Sequence, residues 1–103
     1  PYINSPEPFV FDGRSWIFFT LSADPNFHAS APSLIAMTGI VPGTPSLQLL
    51  TSATQPRRAR RDPEYFITAN GPYIYYNRYL VSGGTKVSEG VFRVDTGLGL
   101  SSR

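Results

Sequence analysis

Arg61-Asp62-Pro63-Glu64-Tyr65-Phe66-Ile67-Thr68-Ala69-Asn70-Gly71-Pro72-Tyr73-Ile74-Tyr75-Tyr76-Asn77 is the stretch whose reading decides the fold. A proline opens it, and β-forming residues follow at Tyr65-Phe66-Ile67. Asn70-Gly71 then gives a strong hairpin signal, because both residue types tolerate positive φ. Tyr73 to Tyr79 returns as an aromatic-rich run. Apolar character that is continuous instead of alternating predicts a strand covered on both faces. The segment reads as a β-hairpin.

Working outward, the same pattern occurs earlier as Ser5-Pro6-Glu7-Pro8-Phe9-Val10-Phe11-Asp12-Gly13-Arg14-Ser15-Trp16-Ile17-Phe18-Phe19-Thr20. Pro6 matches Pro63, Glu7 matches Glu64, Phe9 matches Phe66, and Trp16-Ile17-Phe18-Phe19 matches Tyr73-Ile74-Tyr75-Tyr76. The offset from Glu7 to Glu64 is 57 residues, and only the turn differs, by one residue between Glu and Gly. Further strands are expected at Ser33 to Met37 and Ser46 to Leu50 in the first copy, and at Gly90 to Val94 in the second. The chain is thus one domain of two blade-like units, about 1–55 and 56–103. The fold class is all-β, with antiparallel sheets stacked as two β-propeller-like blades; an ordinary β-sandwich is the alternative. One blade cannot cover both of its own faces, and two blades do not close a ring. The chain is then either a fragment of a larger domain or associates with copies of itself, and self-association into a homo-oligomer is the expectation.

Composition narrows the function. Ten prolines and nine glycines over 103 residues leave no room for long helices, and 14% aromatic residues supply a core. With no cysteine, a disulfide or a thiolate metal site is excluded; with His28 the one histidine, a metal site would rest on carboxylates, so neither a metal nor a cofactor is expected. No apolar run reaches the ~18 residues of a membrane-spanning helix. Net charge is +2, but four of nine cations sit in Arg57-Arg58-Ala59-Arg60-Arg61. That run reads as a solvated loop between the units. Its alternatives are a contact to acids, sugar carboxylates or phosphates, and a nucleic-acid or protease-recognition patch. Nucleic acid is not an expected partner, because such a face spreads its cations along the elements.

The repeated motif resembles blades of the five-bladed β-propeller glycoside hydrolases, the arabinanase, β-xylosidase and invertase type. Ser5 to Phe19 is similar to that family's second blade, and Arg61-Asp62-Pro63-Glu64-Tyr65-Phe66 to the start of its third. The resemblance covers about a third of the chain and implies carbohydrate as the ligand. It gives Asp62 the place of an aspartate that orients substrate and tunes the catalytic acid, with Arg61 beside it. The family's own base or nucleophile and its acid lie on blades not represented in these 103 residues. Ser5 stands where the second copy has Asp62. Whether the chain is an enzyme is left open; the other readings are a non-catalytic sugar-binding or structural β-propeller module, or a fragment of a full-length glycosidase.

Glycoside hydrolysis requires two carboxyls about 5–5.5 Å or about 6.5–9.5 Å apart. The acids are Glu7, Asp12, Asp24, Asp62, Glu64, Glu89 and Asp95. Asp12, Asp24 and Asp95 read as turn or loop residues. Glu89 lies only 27 residues after Asp62, about half a repeat, so it does not fit the next blade's acid. Asp62 is the catalytic candidate. Glu7, Arg61 and Glu64, with Trp16 and Tyr75 as stacking aromatics, are the substrate-binding candidates. Tyr73, Tyr76 and Tyr79 share that chemistry. For all of these aromatics, packing between blades is the competing role.

Overall fold

The structure, a computed structural model, describes residues 2–24, 33–40, 47–52, 58–82 and 85–99. Among them run seven strands: β1 Tyr2–Phe11, β2 Arg14–Ser22, β3 Ser33–Gly39, β4 Gln48–Leu49, β5 Arg58–Thr68, β6 Gly71–Ser82 and β7 Thr85–Asp95. They form two open antiparallel sheets, ordered β1-β2-β3-β4 and β5-β6-β7. The chain is all-β. His28, Arg57 and Ser46 lie outside the described residues.

The two hairpins have two-residue turns of equal length but turn differently, because the glycine comes one position later in the second. Phe11 pairs with Arg14, and the two residues between them, Asp12 and Gly13, have φ of 52° and 74°. Positive φ at both central positions matches the twist of the flanking strands. In the second hairpin Thr68 pairs with Gly71, so Ala69-Asn70 make the turn and the positive φ, 108°, falls on Gly71. The expected Asn70-Gly71 centre is thus displaced by one residue. The Thr68 hydroxyl closes that turn, accepting from Asn70 N (3.0 Å) and donating to Gly71 O (2.9 Å).

Both outer hairpin strands begin before their prolines, not after them. β1 skips a register position between Asn4 and Glu7, and β5 between Arg61 and Glu64. The bulges contain Ser5-Pro6 and Asp62-Pro63, with φ of 52° at Ser5 and 54° at Asp62. A bulge on an edge strand accommodates a residue without an N–H, so the strand continues past it. Gly90 behaves alike: with φ of 106° it marks a bulge inside β7, which starts at Thr85 instead of Gly90.

The arginine run is strand, not loop. Ala59 is buried, and the Arg60 backbone N–H donates to Ser33 Oγ at 3.0 Å. The Arg60 guanidinium donates to the carbonyls of Ser33 and Ser52 and lies over the Tyr76 ring, 5.5 Å from its centre. Long arginine stems cover apolar surface while their heads find carbonyls, so Arg58–Arg61 can start β5.

The sheets share one core of Phe9, Trp16, Phe18, Ile35, Met37, Ile74 and Tyr76. β5 makes the close approach, lying across β1, β2 and β3. Arg60 sits at Ser33 on β3, and Tyr65 stacks on Phe9 of β1 with ring centres 5.3 Å apart. β2 is covered on both faces, Phe18 and Phe19 both being buried. β6 is not: Ile74 and Tyr76 are buried, whereas Tyr73, Tyr75 and Tyr79 are half-exposed. Its aromatic run therefore alternates.

Candidate functional site

The alternation on β6 gives the second sheet two chemically different faces. Directly opposed residues share a face. Ile74 and Tyr76, opposite Val94 and Phe92, look toward the first sheet. The outer face is built from the rows Phe66–Tyr73–Asp95, Glu64–Tyr75–Arg93, Arg61–Asn77–Val91 and Ala59–Tyr79–Ser88. Aromatic rings thus run up the middle of this face, with charged groups on both sides.

The ring geometry is fixed by neighbours. Phe66, 64% exposed, meets Tyr75 edge-on, with centres 6.2 Å apart and planes at 81°. The Arg93 guanidinium lies 4.6 Å above the centre of the Tyr73 ring, and its Nη1 donates to the Tyr75 hydroxyl at 3.3 Å. That hydrogen bond, and then the attraction of the Tyr75 oxygen, raise the Arg93 pKa above its ordinary value, so the cation is firmly kept. Lys86 sits 5.5 Å from the Tyr79 ring centre. At the β5 edge, Glu64, Tyr65, Phe66 and Tyr75 line a shallow depression of about 340 Å³. Its lining is mostly apolar.

Asp62 reaches this face from the bulge. Its Oδ2 accepts from Asn77 Nδ2 at 3.5 Å, a long contact in an exposed position. The left-handed backbone suits aspartate better than most residues. Asp62, Arg61, Glu64 and Tyr75 are therefore brought together on the second sheet. Glu7 and Trp16 are not part of that group. Glu7 pairs with Phe18 on β2, and Trp16 is buried in the shared core with Arg14 over its ring.

Three of the remaining acids have local structural roles. Gly97 N donates to Asp95 Oδ1 at 2.8 Å, closing a turn, and Asp12 forms the first hairpin turn. Glu89 Oε1 receives the Nε groups of Arg58 and Arg78 at 3.2 and 3.1 Å. It is therefore a staple of β5, β6 and β7. Among the described residues no cluster of three His, Asp or Glu side chains could hold a metal ion.

Sequence reasoning passed over Phe66, Asn77 and Arg93. The signal was present in the repeat itself. Trp16, Phe18 and Thr20 correspond to Tyr73, Tyr75 and Asn77, so each covered residue of the first sheet has a counterpart with a polar tip. Compared with protein-family models, curated proteins and solved structures, the chain matches no family model, no curated protein and no solved structure.

Proposed function

We propose that the chain is a carbohydrate-binding protein whose outer face on β5-β6-β7 receives the sugar. The observation that carries this is the exchange of Trp16, Phe18 and Thr20 for Tyr73, Tyr75 and Asn77 at equivalent repeat positions. An uncovered sheet face needs only polarity to stay in water. This one keeps its rings and adds hydroxyl, amide, carboxylate and guanidinium groups between them. A sugar ring offers the complement, an apolar C–H face rimmed by hydroxyls. Its C–H face packs on Phe66 while the hydroxyls meet Glu64, the Tyr75 phenol and Asp62.

Glycan binding measured by calorimetry or ligand-observed NMR tests this. Tyr75→Ala and Phe66→Ala should each weaken binding at least ten-fold, while Trp16→Phe leaves it unchanged. Binding that survives both alanine substitutions sinks the proposal. The catalytic form of the reading rests on Asp62 and is separated by aryl-glycoside assays. Turnover lost in Asp62→Asn, with binding kept, would make the chain a glycosidase; binding without turnover leaves a sugar-binding module.

A second reading, that these are two blades of a propeller completed by further copies, is supported by how the sheets stack. The face of the first sheet that carries Trp16 and Phe18 is covered by the second sheet's Ile74 and Tyr76 face. In repeat terms these are opposite faces, so the sheets stack head to tail, as neighbouring blades do. Ring completion would cover the Tyr73–Tyr75 face, so the readings compete for it. Light scattering decides between them: a monomer that binds glycan supports the first, and a ring that shields Tyr75 supports the second.

A further inference from the structure

A sheet edge is a row of amides and carbonyls open to another strand, and three of the four edges formed by the described strands are blunted. β1 carries Pro6, Pro8 and a bulge, β4 is two residues long, and β5 carries Pro63 in a bulge. β7 has no proline and runs for 11 residues, and among the described strands only β6 pairs with it. Thr85 to Ser88, Gly90, Val91 and Arg93 are exposed along it. β5 is the strand that lies across the first sheet, so β7 is the far edge.

The ladder fixes which groups point outward. Thr96 N donates to Pro72 O, so the even-numbered positions of β6 are the ones bonded to β7. Their partners include Val94, Phe92, Val87 and Thr85. Asp95, Arg93, Val91, Ser88 and Lys86 therefore turn their N–H and C=O groups to the open edge, and all five place their side chains on the outer face.

The charges along this edge choose the partner. Lys86 stands near one end, its ammonium 5.5 Å from the centre of the Tyr79 ring. Asp95 stands at the other, its Oδ1 accepting from Gly97 N at 2.8 Å. Lys86 and the Gly90 bulge oppose an indiscriminate strand, so a partner must answer both. A second copy of β7, antiparallel about a two-fold axis, does so. With Lys86 opposite Asp95 of the second copy, Ser88 meets Arg93, Val87 meets Val94, and the two bulges lie together at the axis. The two-fold repeats each pair. Val87, 51% exposed, gains an apolar neighbour across the edge. A register that opposes the two Arg93 residues sets like charges against each other.

We propose that β7 is a dimer edge, through which two copies of the chain pair antiparallel along Lys86 to Asp95 and form one six-stranded sheet. The axis is perpendicular to that sheet, so both outer faces lie on the same side and Tyr73 and Tyr75 stay open. The outermost strands become the two β5 strands, blunted at Pro63, so assembly stops at two. This surface does not depend on the sugar reading. It differs from ring completion, which covers the outer face instead of extending it.

The test is sedimentation velocity of the full chain over a concentration series, with amide hydrogen exchange followed on the same samples. A monomer–dimer equilibrium is expected, with a dissociation constant on the order of 10 μM. The amides of residues 91–95 should exchange about ten-fold more slowly at about 1 mM chain than at about 1 μM. Lys86→Asp opposes two acids at each end of the ladder and should weaken the dimer at least about ten-fold. Combining Lys86→Asp with Asp95→Lys restores opposite charges and should return the affinity to within about three-fold of wild type. A chain that stays monomeric to about 1 mM, an assembly larger than two, a dimer whose 91–95 amides exchange at a concentration-independent rate, or a Lys86→Asp variant that dimerises like wild type overturns the proposal. Wild-type exchange and Lys86→Asp decide the matter even if the doubly substituted chain does not fold.

Discussion

Two equivalent faces of this molecule have been put to different uses. On the first sheet, Trp16, Phe18 and Thr20 stand opposite Gly39, Met37 and Ile35, and the face is closed by β5. On the second, Tyr73, Tyr75 and Asn77 stand opposite Asp95, Arg93 and Val91, and no described element covers them. The backbone plan is the same, down to a bulge with a left-handed residue before a proline at Ser5 and Asp62. What differs is coverage. A covered face must shed polar groups, because each one buried needs a partner. An open face has no such constraint, and its side chains can be chosen for recognition.

Breaking the covered face should have the largest effect. Phe18 is fully buried and touches both Phe9 and Tyr65, with ring centres 5.9 and 6.1 Å away. Phe18→Ala should cost about 3–5 kcal/mol in denaturant unfolding, from lost burial and the cavity left behind. Tyr75→Ala, its repeat equivalent, should cost about 1 kcal/mol, since the ring is half in water already. A Tyr75→Ala cost as large as that of Phe18→Ala would mean that the open face is structural and would remove its reading as a ligand platform.

The hairpin turns extend the comparison. Gly71 and Gly13 both have positive φ, so any side chain is strained at either place. At Gly13 an added Cβ meets nothing within 4 Å, whereas at Gly71 it would lie 2.6 Å from the Cα of Gly99. The segment after β7 folds back there, held by Thr96, whose N and Oγ1 both donate to Pro72 O at 3.2 and 2.8 Å. Gly13→Ala should therefore cost about 1 kcal/mol and Gly71→Ala about 3 kcal/mol, read from urea midpoints. Equal costs would show that the return of residues 96–99 under the turn does not persist in solution.

The hairpins, the returning strands and the twofold repeat were legible because they rest on local chemistry: Asp-Gly and Asn-Gly turns, β-branched and aromatic runs, and breakers between them. Strand limits were less legible, because prolines and Gly90 read as boundaries when bulges carry the strands through them. The aromatic run of β6 looked covered on both faces because Tyr serves equally in a core and on a wet surface; only the lateral offset of the sheets, with β5 lying over the first, decides which role it has. The arginine run misled for a related reason. Composition marks Arg57 to Arg61 as solvated, and nothing local announces that Ser33 and Ser52 carbonyls wait for Arg60. Asp62, Arg61, Glu64 and Tyr75 do meet, but Glu7 and Trp16 were tied to them by repeat equivalence, and equivalent positions in two stacked units lie on different sheets.

The finest contrast is between Thr20 and Asn77, one equivalent position with two polar side chains. Asn77 reaches Asp62 in water. Thr20 is 2% exposed, and among the described residues its hydroxyl has no hydrogen-bond partner. A buried hydroxyl without a partner costs stability, so Thr20→Val should raise the unfolding free energy by about 1 kcal/mol. Asn77→Val, on the open face, should change it by less than about 0.5 kcal/mol. If Thr20→Val lowers stability instead, the covered face holds a polar contact after all. The rule that coverage alone sets the chemistry of the two faces would then fail at the position where it is most directly tested.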